Sequence, residues 1–447
     1  MPLAALQPAL AAGPALSDTP IPMATEEELP PRTAPLIEIG PAFLGAGNLP
    51  EGFELPTGAV WNPAFWVFGS YRTALDYFDR DGSGSSDATA EWTNRLDLFG
   101  NLQLSGTERV LIGVSPLRHD GRFSGYAFES PSGSGFDNAL NLRLTTLFFE
   151  GEIAEIFPDL DARQSGVFDL GFSVGRQPLF FQEGIMINDT TDALALTRET
   201  IIVPGLSVDT RVTALWGWGD VNREDNREDD KAQLFGLFAE SDVGSSTVQL
   251  DAAYVASDAD GLNLGAASTQ RLTLFGKTID SSFRINQSWA LDQESEKVST
   301  GTLLFAELNM TPSHTDNVLY ANGFLGIDDF TSASRGETVG GPLGQAGLLF
   351  ANVGLGRYDA PLNNRAGHVV GGALGYQLFF NDERTQLIFE LGGRLGTDSS
   401  SPSEAALGSR FQQAIGDRFV VRVDGFVSAK EDGIPGFGAR TEFVTQF

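Results

Sequence analysis

Apolar and polar residues alternate at every second position along most of this 447-residue chain, and that pattern restricts the fold more than any other feature. From Trp92 to Leu104, Trp92, Leu96, Leu98, Leu102 and Leu104 share one parity, while Arg95, Asp97, Asn101 and Gln103 hold the other. Strand side chains alternate faces, so such a segment has one greasy and one polar side. Leu387–Leu395 sets Leu387, Phe389, Leu391 and Leu395 against Glu390 and Arg394. Phe419–Val427 sets Phe419, Val421, Val423 and Val427 against Arg422 and Asp424. Val208–Trp218 sets Val212, Ala214, Trp216 and Trp218 against Asp209, Arg211 and Thr213. Leu140–Phe149, Phe168–Gln177, Val248–Val255 and Arg271–Lys277 repeat the pattern; Asp192–Thr200 and Lys231–Glu240 follow it poorly.

A β-sandwich also alternates, but its strands are short, about five or six residues. Here they run to about ten to thirteen, the length of a tilted membrane crossing. The connections alternate in length too. Short turns are expected at Ser105–Gly106, Ser241–Gly244, Ile279–Ser281, Asn381–Glu383 and Gly416–Asp417. Long polar loops are expected at Asp76–Glu91, Leu117–Asp137, Asp220–Asp230, Ser257–Ser268, Asp328–Arg365 and Thr397–Glu404. Two connections on the short side are longer, near Ile153–Gln164, with Glu152–Leu160 read as a short helix, and near Ile202–Gly205. The reading is an all-β, transmembrane, antiparallel up-and-down β-barrel of about eighteen strands, or sixteen if the weak segments merge, in a Gram-negative-type outer membrane. An even count puts both termini in the periplasm.

Composition supports this reading. No stretch approaches the roughly 18 apolar residues of a spanning helix. The chain has no cysteine, which excludes thiolate metal sites and disulfides. Its formal net charge of −30 argues against nucleic acid, which needs a basic face. Residues 1–60 divide from the barrel at 61–447. Met1–Ser17 resembles a signal-peptide remnant, and Asp18–Gly58 reads as a Pro-rich, acidic periplasmic tail. The apolar run Leu36–Leu44 is a candidate plug. The final strand, Phe437 to Phe447, alternates and ends on phenylalanine. It resembles the terminal signature of barrels inserted by the outer-membrane assembly machinery, which makes that machinery an expected partner, together with outer-membrane lipid and lipopolysaccharide.

Parity also nominates the pore-facing residues. The basic ones are Arg72, Arg95, Arg109, Arg143, Arg211, Arg271, Lys277, Arg394, Arg410, Arg422 and Arg440. The acidic ones are Asp97, Asp169, Asp209, Asp251, Glu307, Glu390, Asp424 and Glu442. This is a mixed lumen with a slight basic excess, and the acidity of the chain concentrates in the tail and loops. Charged rings in a water-filled pore set ion preference, and arginine forks suit carboxylates and phosphates. The expected function is a passive channel for small hydrophilic or anionic solutes. The loop Asp328–Arg365 is expected to fold inward, because Leu348, Leu349 and Phe350 need cover from water.

Gly175-Arg176-Gln177 is read as a strand end, followed by a loop with Asn188-Asp189 and then Asp192-Ala193. Here the chain resembles porins of the alginate-export type, which implies eighteen strands, an arginine-rich lumen and, as an alternative function, export of an anionic polysaccharide. A plugged structural or partner-binding barrel is a further alternative. Asp79, Asp81, Ser83 and Asp87 match the start of a calcium loop, but the twelfth position is Ala90. No other cofactor is implied. His119, beside Arg118 and Asp120, has no neighbouring nucleophile motif, and His314 falls in a short-side turn. A rim enzyme is therefore set aside.

Overall fold

Each alternating segment leaves one face that only lipid or another greasy surface can cover, and leaves its backbone groups needing lateral partners. A sheet closed on itself satisfies both demands. In the computed structural model, which describes residues 33–41, 52–80, 88–161, 166–274, 276–399, 401–431, 433 and 435–447, the chain forms a closed antiparallel barrel of eighteen strands. In chain order these are β1 (Ala64–Asp79), β2 (Thr89–Gln103), β3 (Arg109–Val114), β4 (Leu144–Glu152), β5 (Leu170–Phe181) and β6 (Ile187–Arg198). Next come β7 (Asp209–Gly219), β8 (Gln233–Val243), β9 (Ser246–Ala256), β10 (Gly261–Leu274), β11 (Lys277–Ala290) and β12 (Gly301–Met310). The last are β13 (Val318–Phe330), β14 (Ala366–Phe380), β15 (Thr385–Gly396), β16 (Glu404–Ile415), β17 (Phe419–Lys430) and β18 (Gly436–Gln446). The seam closes where β18 pairs with β1, from Phe437 opposite Asp79 to Gln446 opposite Ser70.

The outer surface is apolar along the strands: Leu75, Leu250, Leu391 and Leu407 are all more than half exposed. Such a continuous band is foreign to a soluble protein. Aromatic pairs mark its two borders: stacked Phe68–Phe99 and Phe419–Phe443 near the short turns, stacked Tyr77–Phe437 and tilted Trp216–Trp218 near the long loops. These are the girdles of a barrel seated in a bilayer. β1 begins and β18 ends at the short-turn end.

Several connections differ from expectation. The long loop expected at Ser257–Ser268 is a four-residue turn, Ser257–Asp260, after which β10 begins. The inward positions of β10, Asn263, Gly265 and Ala267, are small or polar, with Met186 and Gln182 packed over Gly265 and Asn263 bonded to the Thr331 carbonyl, so the strand reads as loop. The turn expected at Ile279–Ser281 comes earlier, since the ladder already pairs Leu274 with Lys277, and polar Thr278 and Asp280 continue β11. Both ends of Asp76–Glu91 are strand, with Asp76 and Glu91 opposite each other on β1 and β2. The poorly alternating segments form β6 and β8. Their inner faces carry buried Ile187, Ala193, Leu234 and Phe238, apolar because folded-in loops cover them. Leu140–Phe149 yields strand only from Leu144. Ile153–Ile156 is one helical turn, as read.

The segment Ile37–Ile39 pairs antiparallel with Phe65–Val67 of β1. Asp81, Ser83 and Asp87 of the calcium-loop motif lie outside the described residues, whereas Asp79 ends β1. Among the described residues no cluster of three metal-ligating side chains forms.

Candidate channel constriction

The centre of the barrel is crossed by the connection 331–365, between β13 and β14. Its apolar residues explain why it turns inward. Leu343, Leu349, Phe350 and Leu362 are essentially fully buried and join wall residues Phe78, Phe324 and Phe426, while Leu355, equally buried, packs with Ala74 and Phe123. The wall makes room for them: a Cβ on Gly392 would sit 3.0 Å from Leu362 and 3.2 Å from Leu349. Glycine at this point is what lets the loop lie against the strand.

Charged wall residues hold its backbone. Glu390 of β15 accepts the N–H groups of Leu348 and Leu349, both at 2.8 Å, and the hydroxyl of Tyr320. Arg394 donates to the carbonyls of Asn363 (2.6 Å) and Arg365 (3.0 Å), and Glu404 accepts from the Asn363 N–H at 2.7 Å. Across the lumen, Arg95 of β2 donates to the Gly354 carbonyl at 2.9 Å. Glu91 pairs with Arg357 at 2.7 Å. On a third side, Ser334–Arg335 runs parallel to the start of β6. Arg335 is buried and donates to the carbonyls of Gly184 (2.7 Å), Gly340 (2.6 Å) and Gly341 (2.8 Å). Burial pushes its guanidinium down to about 10, so it stays charged at neutral pH. The connection 220–232 folds in as well: Arg365 pairs with Glu224 at 2.7 Å, and Asn222 meets Asp189 at 2.8 Å.

The wall from β16 round to β1 carries an ionic network. Glu442 is fully buried and pairs with Arg72, Arg422 (3.0 Å) and Arg440 (2.8 Å). Asp424 pairs with Arg410 and receives the Arg440 Nε at 2.8 Å. Four arginines thus face these two carboxylates and the buried Asp76 opposite Arg440 on β1, so this network keeps a small excess of positive charge. Elsewhere the pairs balance: Arg95 with Asp97 at 2.7 Å, Arg211 with Glu240 at 2.8 Å, and Arg284 with Glu307. The inward loop borders two cavities. One, of about 400 Å³, is lined by Arg95, Asp97, Arg118 and Glu337 among others. The second, of about 540 Å³, has Glu307, Tyr320, Gln377 and Arg410 in its lining.

The nominated residues therefore fall into three groups. Arg72, Arg95, Asp97, Glu390, Arg394, Arg410, Arg422, Asp424, Arg440 and Glu442 meet at the constriction or in its network. Arg211 and Asp251 share a smaller cavity with Phe181 and Phe238; Glu307 borders the larger one. Arg109 pairs with Glu150 near the short turns. Asp209 opens β7, Asp169 precedes β5 and is exposed, and Arg271 closes β10, paired with Asp280. Two positions depart from the expected lumen face. Lys277 opens β11 on the parity of exposed Phe283 and Ile285 and bonds Ser313 at 3.1 Å. Arg143 precedes β4 and reaches Asp220 at the rim, at 2.5 Å.

Sequence reading missed Arg284, although Phe283 and Ile285 flank it in open alternation. It also missed Arg335, Arg357, Glu91 and Glu224, which sit in or beside stretches read as loop. Gly175-Arg176-Gln177 does not end a strand. It lies within β5, and Asn188, Asp189, Asp192 and Ala193 lie in β6 rather than in a loop. Gly175 has φ +121° and sits where a Cβ would strike the Leu147 carbonyl, so glycine is required there by backbone geometry. Arg176 pairs with Asp192 at 2.8 Å.

No family model and no curated protein matches this chain. Solved structures do. The chain is similar to a BenF-like porin from Pseudomonas fluorescens Pf-5, with 9% identity, a TM-score of 0.58, and coverage of 86% of this chain and 98% of that one. It is similar to OccK2 (OpdF) of Pseudomonas aeruginosa, with 11% identity, a TM-score of 0.56, and coverage of 85% and 97%. It is also similar to OccK5 (OpdH) of the same organism, with 12% identity, a TM-score of 0.55, and coverage of 85% and 98%. With its lipid-type outer band and twin aromatic girdles, the chain is an outer-membrane β-barrel that has the eighteen-stranded fold of these porins.

Proposed function

We propose that this barrel is a passive channel for small hydrophilic solutes, with a modest preference for anions. The observation that carries the reading is the inward loop 331–365, bonded to opposite walls and leaving cavities of a few hundred Å³ bordered by arginine heads. Such a constriction admits small molecules and screens them by charge. The excess of arginine over carboxylate in the β16–β1 sector supplies the anion preference. Pairing of most other charges keeps it modest. Long loops face outward and both termini lie in the periplasm, in keeping with barrels of this type. The terminal strand ending at Phe447 serves recognition by the assembly machinery.

The alginate-export alternative asks for a wide, strongly basic conduit. The crossing loop and the interleaved carboxylates favour small solutes instead. The test is single-channel recording in planar bilayers under a KCl gradient. A reversal potential displaced toward the chloride value is expected. Absence of any current from the purified protein would remove the channel reading.

A further inference from the structure

We propose that the barrel has a second opening, a side passage between β4 and β5. Through it, an amphiphile with an anionic head and an apolar tail moves between the constriction and the outer leaflet. The proposal rests on the channel reading above.

The hydrogen-bond pattern leaves the breach. The ladder between β4 and β5 stops at Leu147 opposite Arg176, while β5 continues beside β6 as far as Phe181 opposite Ile187. On the other side, β3 ends at Val114. The chain then leaves the wall, and residues 122–129 add to the upper half of β2, with Asn94 opposite Ser124. That flap ends in the short strand Gly135–Asp137. The wall thus has two edges facing each other above the Leu147–Arg176 level, where the Arg176 guanidinium reaches across to the Leu144 carbonyl at 3.2 Å. Pro178 stands on one of them, and a residue without an N–H suits an edge that is not to be zipped shut.

A cavity fills the breach. It is the one of about 400 Å³, and its lining comes from both faces of the wall. Asp97 and Ser115 bond each other at 2.6 Å inside the barrel. Phe180 and Leu144, which also line it, are half-exposed. Phe180 has the opposite parity to Leu179, which belongs to the buried inner core. Space that touches both faces of a one-layer wall is a passage through it.

The chemistry along the passage changes from charged to apolar. Arg143 and Arg176 stand on the two lips and meet at Asp220, so an anionic head can displace the Asp220 carboxylate from their guanidinium forks. On the flap and on the segment that leads from it to β4, Phe136, Leu140 and Leu142 are 81%, 68% and 84% exposed, more than the strand leucines of the membrane band. Apolar side chains this bare, beside a charged sill, fit a route for a tail that stays in lipid while its head crosses.

The chain has no cysteine, so one introduced thiol can be blocked selectively. Thr145 lines the breach. Purified Thr145→Cys, free or carrying a bulky maleimide, is reconstituted into vesicles preloaded with methanesulfonate or octanesulfonate, which share one head and differ in tail. Unlabelled Thr145→Cys is expected to release both probes as wild type does. Labelling is expected to slow octanesulfonate by about tenfold and methanesulfonate by less than about twofold, since the latter uses the axial pore. Equal slowing of the two, or no slowing of octanesulfonate, overturns the side passage. If unlabelled Thr145→Cys fails to fold, the same comparison at Pro178→Cys decides. Methanesulfonate release from wild type no faster than from protein-free vesicles would instead remove the channel reading itself.

Discussion

Glu390, on the barrel wall, receives the backbone N–H of Leu349 at 2.8 Å, so a carboxylate that parity alone would assign to solute contact is committed to holding the constricting loop. Its second oxygen takes the Leu348 N–H. Glu390→Ala orphans both donors, at a cost of about 1–3 kcal/mol each. The expected outcome is a barrel that still assembles, with higher single-channel conductance and new large-conductance bursts in bilayer recordings. An unchanged conductance would show that the apolar contacts alone hold the loop.

Arg335 fastens the same loop to the β5–β6 connection through the Gly184 carbonyl and braces the loop's own turn through the Gly340 and Gly341 carbonyls. Lysine offers a single ammonium rather than a planar fork, so Arg335→Lys is expected to recover little of what Arg335→Ala loses. Limited proteolysis of detergent-solubilised protein reads this directly: cleavage within 331–365 is expected in both variants and to be slow in wild type.

Removing Glu442 changes the balance of the ionic network. Glu442→Gln removes the carboxylate that Arg72, Arg422 and Arg440 share, leaving Asp424 and Asp76 as the acidic groups beside them. A shift of the chloride-to-potassium permeability ratio toward chloride, of about twofold or more, is expected from the reversal potential. Arg95→Glu, next to Asp97 at the crossing loop, is expected to shift it the other way.

Asp229 lies in the folded-in connection 220–232. Burial works to raise its pKa, but the Lys297 ammonium at 2.9 Å and the Lys231 N–H outweigh it and hold the carboxyl below its ordinary value. A folded-state pKa that is depressed gives stability present above the unfolded value, near about 3.9, and lost as pH falls through the folded value. Current noise from this connection is therefore expected to stay low at neutral pH and to rise below about pH 4. Asp229→Asn is expected to be noisy at every pH. A wild-type record that quietens on acidification would contradict this.

Wherever one face meets lipid and the other meets water, the sequence announces the strand; β2, β15 and β17 are plain from parity. Legibility fails where the inner face is dry. Ile187, Ala193, Leu234 and Phe238 point inward yet are apolar, because folded-in loops cover them, so β6 and β8 lose their contrast. The inverse error occurs in β10, whose inward positions are small and polar and mimic a loop. At the constriction, Leu348–Phe350 gave away the inward turn through their need for cover. The fastenings Arg335 and Arg357 carried no local pattern, since backbone carbonyls leave no mark in the sequence and the carboxylates Glu91 and Asp137 lie far away in the chain. Single parity also could not foresee that Glu390 and Arg394 would spend their charge on backbone rather than on the pore.

The short strand Ile37–Ile39 occupies the edge of β1 just below the point where Phe447 and Gly69 exchange backbone hydrogen bonds. Its berth is bounded by the last residue of the chain. Pairing first strand with last is the most distant contact such a molecule makes and the slowest to find. The leading segment, by contrast, reaches β1 through a contact that is local in the chain, so it can dock before the cylinder shuts and mark out the stretch of β1 that the final strand must leave free.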